Sequence, residues 1–226
     1  MSTAGHTSVI RGPGTSTAFT LEPTLLVTAN TRYQVLADLR RLLDPSVAPV
    51  VEVDADGTGA GGYVVAAANT YTVNYMFGII TFIADQGALA VVRVSGSYLP
   101  AIDLVGVTDW SYSASREVLD TTTVNTTAGS VRTKSLGLAD VSGSVTLNEL
   151  LSYDHDPGAG VLVLETYLDN ATPLLFESSA GGKRFRAWVL LESADRAAGG
   201  VADLVNSTVN FTGAARVAGA GYGWEA

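Results

Sequence analysis

Residues 107–147 read VTDWSYSASREVLDTTTVNTTAGSVRTKSLGLADVSGSVTL. A β-strand points successive side chains to opposite faces. Trp110, Tyr112 and Ala114 therefore share one face of a first strand, and Ser111, Ser113 and Ser115 share the other. Arg116, Glu117 and Asp120 close that run. A polar Thr/Ser/Asn/Gly stretch follows over 121–130. A second alternating strand then returns, with Val141, Gly143, Val145 and Leu147 set against Ser142, Ser144 and Thr146. Two amphipathic strands joined by a long polar loop suit contact with neighbouring molecules. They do not have the shape of an active site.

Working outward, 226 residues hold one large β domain or two small ones, and 47% hydrophobic residues supply a core. Cysteine is absent. That excludes a disulfide scaffold, a thiolate metal site and a cysteine nucleophile, and fits a reducing compartment. Residues 1–17, MSTAGHTSVIRGPGTST, lack a basic segment followed by an apolar run, so no signal peptide is expected. No apolar stretch reaches the length of a membrane helix, so no membrane span is expected. The formal charge is −9 and falls unevenly. Residues 1–102 carry five basic and seven acidic side chains, and residues 103–226 carry eight and fifteen. An acidic surface repels phosphate and argues against a dedicated nucleic-acid binder. Charge of this sign serves solubility, or else a conduit through which DNA slides without sticking. Composition does not separate the two.

Along the chain, residues 1–20 are small, polar and glycine-rich, which predicts a flexible arm. Over 33–43, Val35, Leu36, Leu39, Leu42 and Leu43 have helical spacing, and Asp44-Pro45 stops the run. Tyr33 to Val35 also fit the end of a preceding strand. Strands are predicted over 47–53 and 91–98, a glycine-rich turn over 54–62, and a hairpin over 71–83 that reverses near Phe77-Gly78. Pro100 closes this region, with a soft boundary over 100–105. Asp156-Pro157 is a helix-start signal, with Val161, Leu164 and Leu168 on one face; the β-branched Val161 and Val163 keep a strand reading open. Residues 174–177 and 184–192 flank Gly181-Gly182 as a second hairpin, in which Phe185, Ala187 and Val189 oppose Arg184, Arg186 and Trp188. Residues 194–204 read as a loop or short helix. Residues 207–213 form the last strand, with Val209 and Phe211 inward, and 218–226 form a glycine-rich flexible tail. No internal repeat is evident. Short alternating strands with Gly/Ser/Thr turns argue for a sandwich or barrel with accessory helices.

Candidate chemistry is sparse. The two histidines are His6 and His155. Asp154-His155-Asp156 offers ligands, but a metal site needs three or four converging groups, and a polar loop before a helix cap explains it better. Asp54-Ala55-Asp56-Gly57 resembles the opening of a calcium loop, yet the twelfth position is Val65 rather than an acid, so a plain turn is favoured. Asp120-Thr121-Thr122 lacks the paired Asp-Thr/Ser-Gly loops of an aspartic protease. Neither a Gly-x-Ser-x-Gly elbow nor a Walker loop occurs. The dispersed carboxylates point to no glycosidase pair. Asn125, Asn170, Asn206 and Asn210 each open an Asn-x-Ser/Thr triplet, read here as ordinary strand and loop chemistry. Lys183, Arg184 and Arg186 are the one tight basic cluster, either a solvated hairpin or a contact for the carboxylates of an adjacent copy. No catalytic, cofactor or metal site is expected, and the chain reads as a non-enzyme.

The strand VTDWSYSASREVLDTT (107–122), its polar loop, KSLGLADVSGSVTL (134–147) and ADLVNSTVNFTGAARV (202–217) together resemble the tail tube (major tail) proteins of long-tailed bacteriophages. The resemblance covers roughly 104–217 and rests on soft patterns in the correct order. YTVNYMFGIITF and VSGSYLP in the first half resemble other phage structural proteins. The resemblance implies a mainly β chain: a β-sandwich or split barrel of tail-tube type with a flanking α-helix, preceded by a β-rich region with one short helix. The expected organisation is an arm (1–20), an N-terminal β-rich region (21–102), a tail-tube-like domain (103–217) and a tail (218–226). Six copies would form a ring and stacked rings a hollow tube in the virion, assembled in the host cytoplasm. Its partners would be further copies, the tape measure, tail terminator and baseplate proteins, and DNA in non-specific transit. Joining the inner sheets of neighbours into one barrel would remove exposed strand edges. On this reading Ser111, Ser113, Ser115 and Glu117 line the lumen. Thr121, Thr122, Thr123, Asn125, Thr126, Thr127, Arg132 and Lys134, in the long loop over 119–137, contact the next ring. The alternatives are another virion part (head decoration, neck or baseplate) or a carbohydrate-binding adhesin module with Trp110, Tyr112 and Tyr98 as its platform.

Overall fold

The computed structural model describes residues 7–59, 62–103, 107–120, 134–149, 168–180, 183–197, 205–214 and 222–225. The chain is mainly β, with curled antiparallel sheets, as expected from its alternating patterns. It divides into two compact units. One comprises Met1–Asp103, Leu175–Arg186 and Ala215–Ala226; the other comprises Leu104–Leu174 and Ala187–Ala214.

The first unit holds β1 (Thr7–Pro13), β2 (Thr17–Thr28), β3 (Arg32–Val35), β4 (Val50–Asp54), β5 (Val64–Val65), β6 (Tyr71–Asn74), β7 (Ile79–Phe82), β8 (Val91–Tyr98) and β9 (Ala101–Asp103). Seven of them form a sheet in the order β5-β4-β8-β2-β3-β7-β6. Its core joins Phe19, Tyr33, Val35, Leu43, Val51, Ile80, Phe82, Val92 and Val94. Burial of side chains this size contributes about 1.5–3 kcal/mol each before entropy is charged. Strand β2 serves two neighbours by breaking register between Phe19 and Glu22, where Leu21 takes φ 52° and its N–H donates to Ser95 Oγ at 2.9 Å. The hairpin predicted over 71–83 is present as β6 and β7. Its reversal uses Gly78, whose φ of +61° and missing side chain let the Arg41 backbone approach.

Three expectations are corrected here. The residues 33–43 form no α-helix: Arg32–Val35 is strand β3, and Asp38–Arg40 makes one 3-10 turn. Strand pairing wins because Tyr33, Gln34 and Val35 are all buried between β2 and β7, while Leu39, which a helix would have turned inward, is 84% exposed. The segment 1–20 is not a free arm over its described part. Thr7–Pro13 pairs with both a later strand and β9, and Ile10 is buried opposite Phe176. The C-terminal segment likewise contains a short strand, Tyr222–Trp224.

Also in this unit are β12 (Leu174–Ala180), all but its first residue, and the opening of β13 (Lys183–Ala197). Strand β15 (Tyr222–Trp224) pairs with β13, and the Glu225 N–H donates to the Arg184 carbonyl at 2.7 Å.

The second unit is built from β10 (Val107–Asp120), β11 (Lys134–Glu149), the later part of β13 and β14 (Val205–Gly213), in the order β10-β11-β14-β13. Antiparallel register sets Trp110 against Val145, Tyr112 against Gly143 and Ala114 against Val141, so the apolar faces of the two strands coincide as the alternation requires. Val141, Val145, Val189, Leu191, Val209 and Phe211 are buried. Of the helix expected after Asp156-Pro157, only Leu168 and Asp169 lie in the described residues, and they are helical.

Gly143 fixes this packing. A Cβ there would meet the Ser111 carbonyl oxygen and the Phe211 ring. Gly143→Ala should therefore lower stability by about 1–3 kcal/mol through overpacking, read as a lower denaturant midpoint. Gly96→Ala, whose nearest contacts lie at 3.4 Å or more, is the matched control and should cost less.

Candidate functional site

Two features stand out, one in each unit. In the second unit, β10 ends the strand order, so its outer edge carries no described ladder partner. It is a 14-residue edge. Ser111, Ser113 and Ser115 are exposed on it, and Ser111 Oγ and Ser144 Oγ lie 2.9 Å apart across to β11. On the opposite face the Trp110 and Tyr112 rings stack at 5.6 Å and are half-buried. Burial pushes the Tyr112 hydroxyl up from its ordinary value. Glu117 falls where the β10–β11 register shifts, between the pairs Arg116↔Ala139 and Val118↔Leu136. Lys134 pairs with Asp120 at the end of the ladder. Thr121, Thr122, Thr123, Asn125, Thr126, Thr127 and Arg132 lie outside the described residues, as does Asp154-His155-Asp156.

In the first unit a charge cluster gathers side chains from distant parts of the chain. Arg186 is 4% exposed. Its Nε donates to Glu177 Oε2 at 2.7 Å and its Nη1 to the Met76 carbonyl at 2.7 Å. Arg11 Nη1 donates to the other oxygen of Glu177 at 3.2 Å. Arg184 donates to both oxygens of Asp38, at 3.0 and 3.3 Å. Glu225 Oε1 accepts from Gln34 Nε2 at 2.8 Å and from Arg41 Nη1 at 3.0 Å.

Burial pulls the Arg186 guanidinium down from the ordinary arginine value, against the opposing pull of Glu177. Burial also acts to raise Asp38, but the hydrogen bond and charge of Arg184, with the charge of Arg41, outweigh it and hold the carboxyl low. The sequence leaves Lys183, Arg184 and Arg186 as either a solvated hairpin or a contact for an adjacent copy; Arg186 is instead buried, with both faces of β13 buried around it. A signal for this was available. A two-residue turn read at Gly181-Gly182 sets Glu177 across from Arg186, and an acid opposite a base in two otherwise apolar strands marks a buried pair.

The remaining turn acids act locally. Asp54 Oδ2 accepts from the Gly59 N–H at 2.8 Å, and Asp56 Oδ1 accepts from the Thr58 N–H and hydroxyl. Those Thr58 bonds hold the Asp56 carboxyl low. Asx-type bonding of this kind accounts for the glycine-rich turn without a cation. Among the described residues no cluster of metal-ligating side chains occurs, and no helix is long and apolar enough to cross a membrane.

No family profile and no curated protein matches the chain. Among solved structures it is similar to a chain in the tail of an empty GTA particle with C6 symmetry, at 17% identity and a TM-score of 0.40 over 56% of this chain and 87% of that one. It is also similar to a chain in the virion of a native gene transfer agent particle, at 16% identity and a TM-score of 0.39 over 56% and 89%. At that level the likeness carries no functional argument.

Glu177→Gln should cost about 3–5 kcal/mol, because it strips the charge partner from a buried guanidinium. Pairing Glu177→Leu with Arg186→Met should recover most of the loss in chemical denaturation. Asp38 titrates with the opposite logic to a buried base. Its folded value is depressed, so its stabilisation is complete above the ordinary aspartate value of about 3.9 and fades as pH falls through the lower folded value. Asp38→Asn should therefore lower the Tm at pH 6 and converge with the wild type near pH 2. With the side chain 54% exposed, the effect should be a few degrees at most.

Proposed function

We propose that this chain is a structural virion protein, a tail tube subunit of phage type. Copies assemble into rings of six, and the rings stack into the conduit through which DNA leaves the particle. The observation that carries this reading is the β10–β11 pair: a long amphipathic ribbon whose outer edge has no ladder partner among the described residues, apolar on one face and serine-rich on the other. A long edge strand is a template for pairing with another chain. Six such ribbons joined edge to edge would close a barrel and leave no edge exposed.

The serine face of β10 then lines the channel, with Ser111, Ser113, Ser115 and Glu117 turned to the lumen. Serine is a suitable lining because neutralising phosphates with Lys or Arg is what makes proteins cling to DNA. The loop between β10 and β11 reaches the adjacent ring. The tape measure, terminator and baseplate proteins meet the two ends of the tube, and no step of the work is catalytic. Another virion component is the second reading, in which unit one would be the working module and the hairpin would pack against a different protein.

Negative-stain electron microscopy of the purified chain at rising concentration tests the proposal. Six-fold rings or stacked hollow tubes are expected; closed rings of another symmetry would overturn the ring number, and discrete non-tubular complexes would move the chain to another virion role. Ser113→Lys with Ser115→Lys should leave assembly intact and slow DNA delivery. Unchanged delivery from such particles would remove these residues from the lumen.

A further inference from the structure

The seven-stranded sheet of the first unit leaves an apolar groove of about 780 Å³ beside its end strand β5. The floor of the groove belongs to the core: Val53, Ala66 and Phe82. Its rim includes Val64, Val65 and Ile83, which are 68%, 60% and 76% exposed. Several large aliphatic side chains left in water around one mouth are characteristic of an interaction surface. Strand β5 is also an edge. Val64 and Val65 pair with β4 on one side, and the other side has no ladder partner among the described residues. We propose that this groove receives, from a second copy of the chain, the segment 121–133 that joins β10 to β11. The proposal rests on the tube reading, in which that segment reaches the adjacent ring, and it names the surface met there.

Charge and residue type both fit. Two carboxylates line the groove, Asp54 and Asp56, and no described cation does. Asp54 accepts from the Gly59 N–H, and Asp56 from the Thr58 N–H and hydroxyl. Those donors are neutral, so they satisfy the acceptors without cancelling the charge. Arg93 lies one strand away on β8, but it is committed to Glu52 at 2.8 and 3.3 Å and lies over the Tyr63 ring. The segment 121–133 reads TTTVNTTAGSVRT and carries one cation, Arg132, with no acid, in a chain of net charge −9. Lys134, just beyond it, stands opposite Asp120 in the ladder, so Arg132 is the cation the segment brings. A guanidinium fork matches a carboxylate, and opposite charges across an interface fix which surfaces meet. Six threonines and two valines make the segment suited to an extended form. An extended segment can add to an open sheet edge through main-chain hydrogen bonds while alternate side chains enter a groove. Val131 beside Arg132 would then meet the apolar floor as the guanidinium meets the carboxylates.

The absence of cysteine makes the contact readable by one engineered pair. Full-length Val65→Cys is mixed with full-length Val131→Cys, oxidised, and run on a non-reducing gel. A disulfide joining the two variants is expected, since it forms only where the two Cα atoms come within about 7 Å. Leu25→Cys, an exposed position outside the groove, replaces Val65→Cys as the control and should give no such link. If circular dichroism shows Val65→Cys misfolded, Val64→Cys takes its place. In calorimetry, a synthetic peptide of residues 121–133 should bind the unaltered full chain saturably. Asp56→Asn keeps an oxygen for the Thr58 bonds but loses the charge, and should weaken that binding about two- to fivefold. Three results would overturn the proposal: no saturable peptide binding, peptide binding unchanged in Asp56→Asn, or a cross-link no stronger than the control. Tubes seen beside any of these would leave the tube reading standing. Cross-links in complexes that are not tubes would keep the docking and remove the tube reading. A disulfide within a chain carrying both cysteines, with none between the singly substituted chains, would assign the segment to its own copy and overturn docking between copies.

Discussion

The buried pair of Arg186 and Glu177 is the constraint on which the first unit depends. A guanidinium taken out of water is tolerable only when it is paired and its remaining donors are used. Meeting that demand draws in four separate parts of the chain. Glu177 stands on β12, Arg11 on β1, Met76 offers its carbonyl before the turn into β7, and Arg184 ties the same strand to Asp38. The short strand Tyr222–Trp224 adds to β13, and Glu225 beside it meets Gln34 and Arg41. Apart from the Arg186–Glu177 pair itself, which lies within one hairpin, these contacts span large sequence separations, so the full network can form only after the chain has collapsed. It specifies which strands meet more than it adds to stability, since a well-packed apolar replacement of such a pair is often as stable.

The second unit relies on shape rather than charge. Gly143 lies opposite Tyr112 on one side and Phe211 on the other, and the space its missing side chain leaves is filled by the Phe211 ring. The alternation that buries Val141 and Val145 also puts Ser111, Ser113 and Ser115 on the wet face. A register slip of one residue would exchange those faces, so the buried row fixes the position of the serine row. The serine row is thereby held in place by the core behind it.

What was legible in the sequence followed from periodicity. The strands β8, β10, β11 and β14, and the reversal at Gly78, all announce themselves by alternation or by a glycine where positive φ is needed. The misreadings came where local pattern and tertiary partners disagree. Leu36, Leu39 and Leu43 have helical spacing, but the strand partners of Tyr33 and Val35 prevailed, and Leu36 and Leu39 were left on the surface. The polar, glycine-rich start looked like an arm because nothing local shows that β12 and β9 flank it. Arg184 and Arg186 were visible as a cluster, whereas Asp38, Arg11 and Glu225 were not visible as its partners. Pairing across more than a hundred residues leaves no periodic trace.

The disposition of charge among the described residues bears on the proposed tube. The chain has 13 basic side chains, and six arginines, at positions 11, 40, 41, 93, 184 and 186, are held in ion pairs with carboxylates of the first unit. A paired arginine offers little attraction to a passing phosphate, since its field is cancelled at short range and screened beyond about 8–10 Å at physiological salt. The exposed face of β10, by contrast, presents hydroxyls at 111, 113 and 115. Hydroxyls hydrogen-bond water and phosphate without releasing counterions, so they give DNA no salt-dependent grip. For the proposed tube, cations held in internal pairs and a face of hydroxyls would leave its contents free to move.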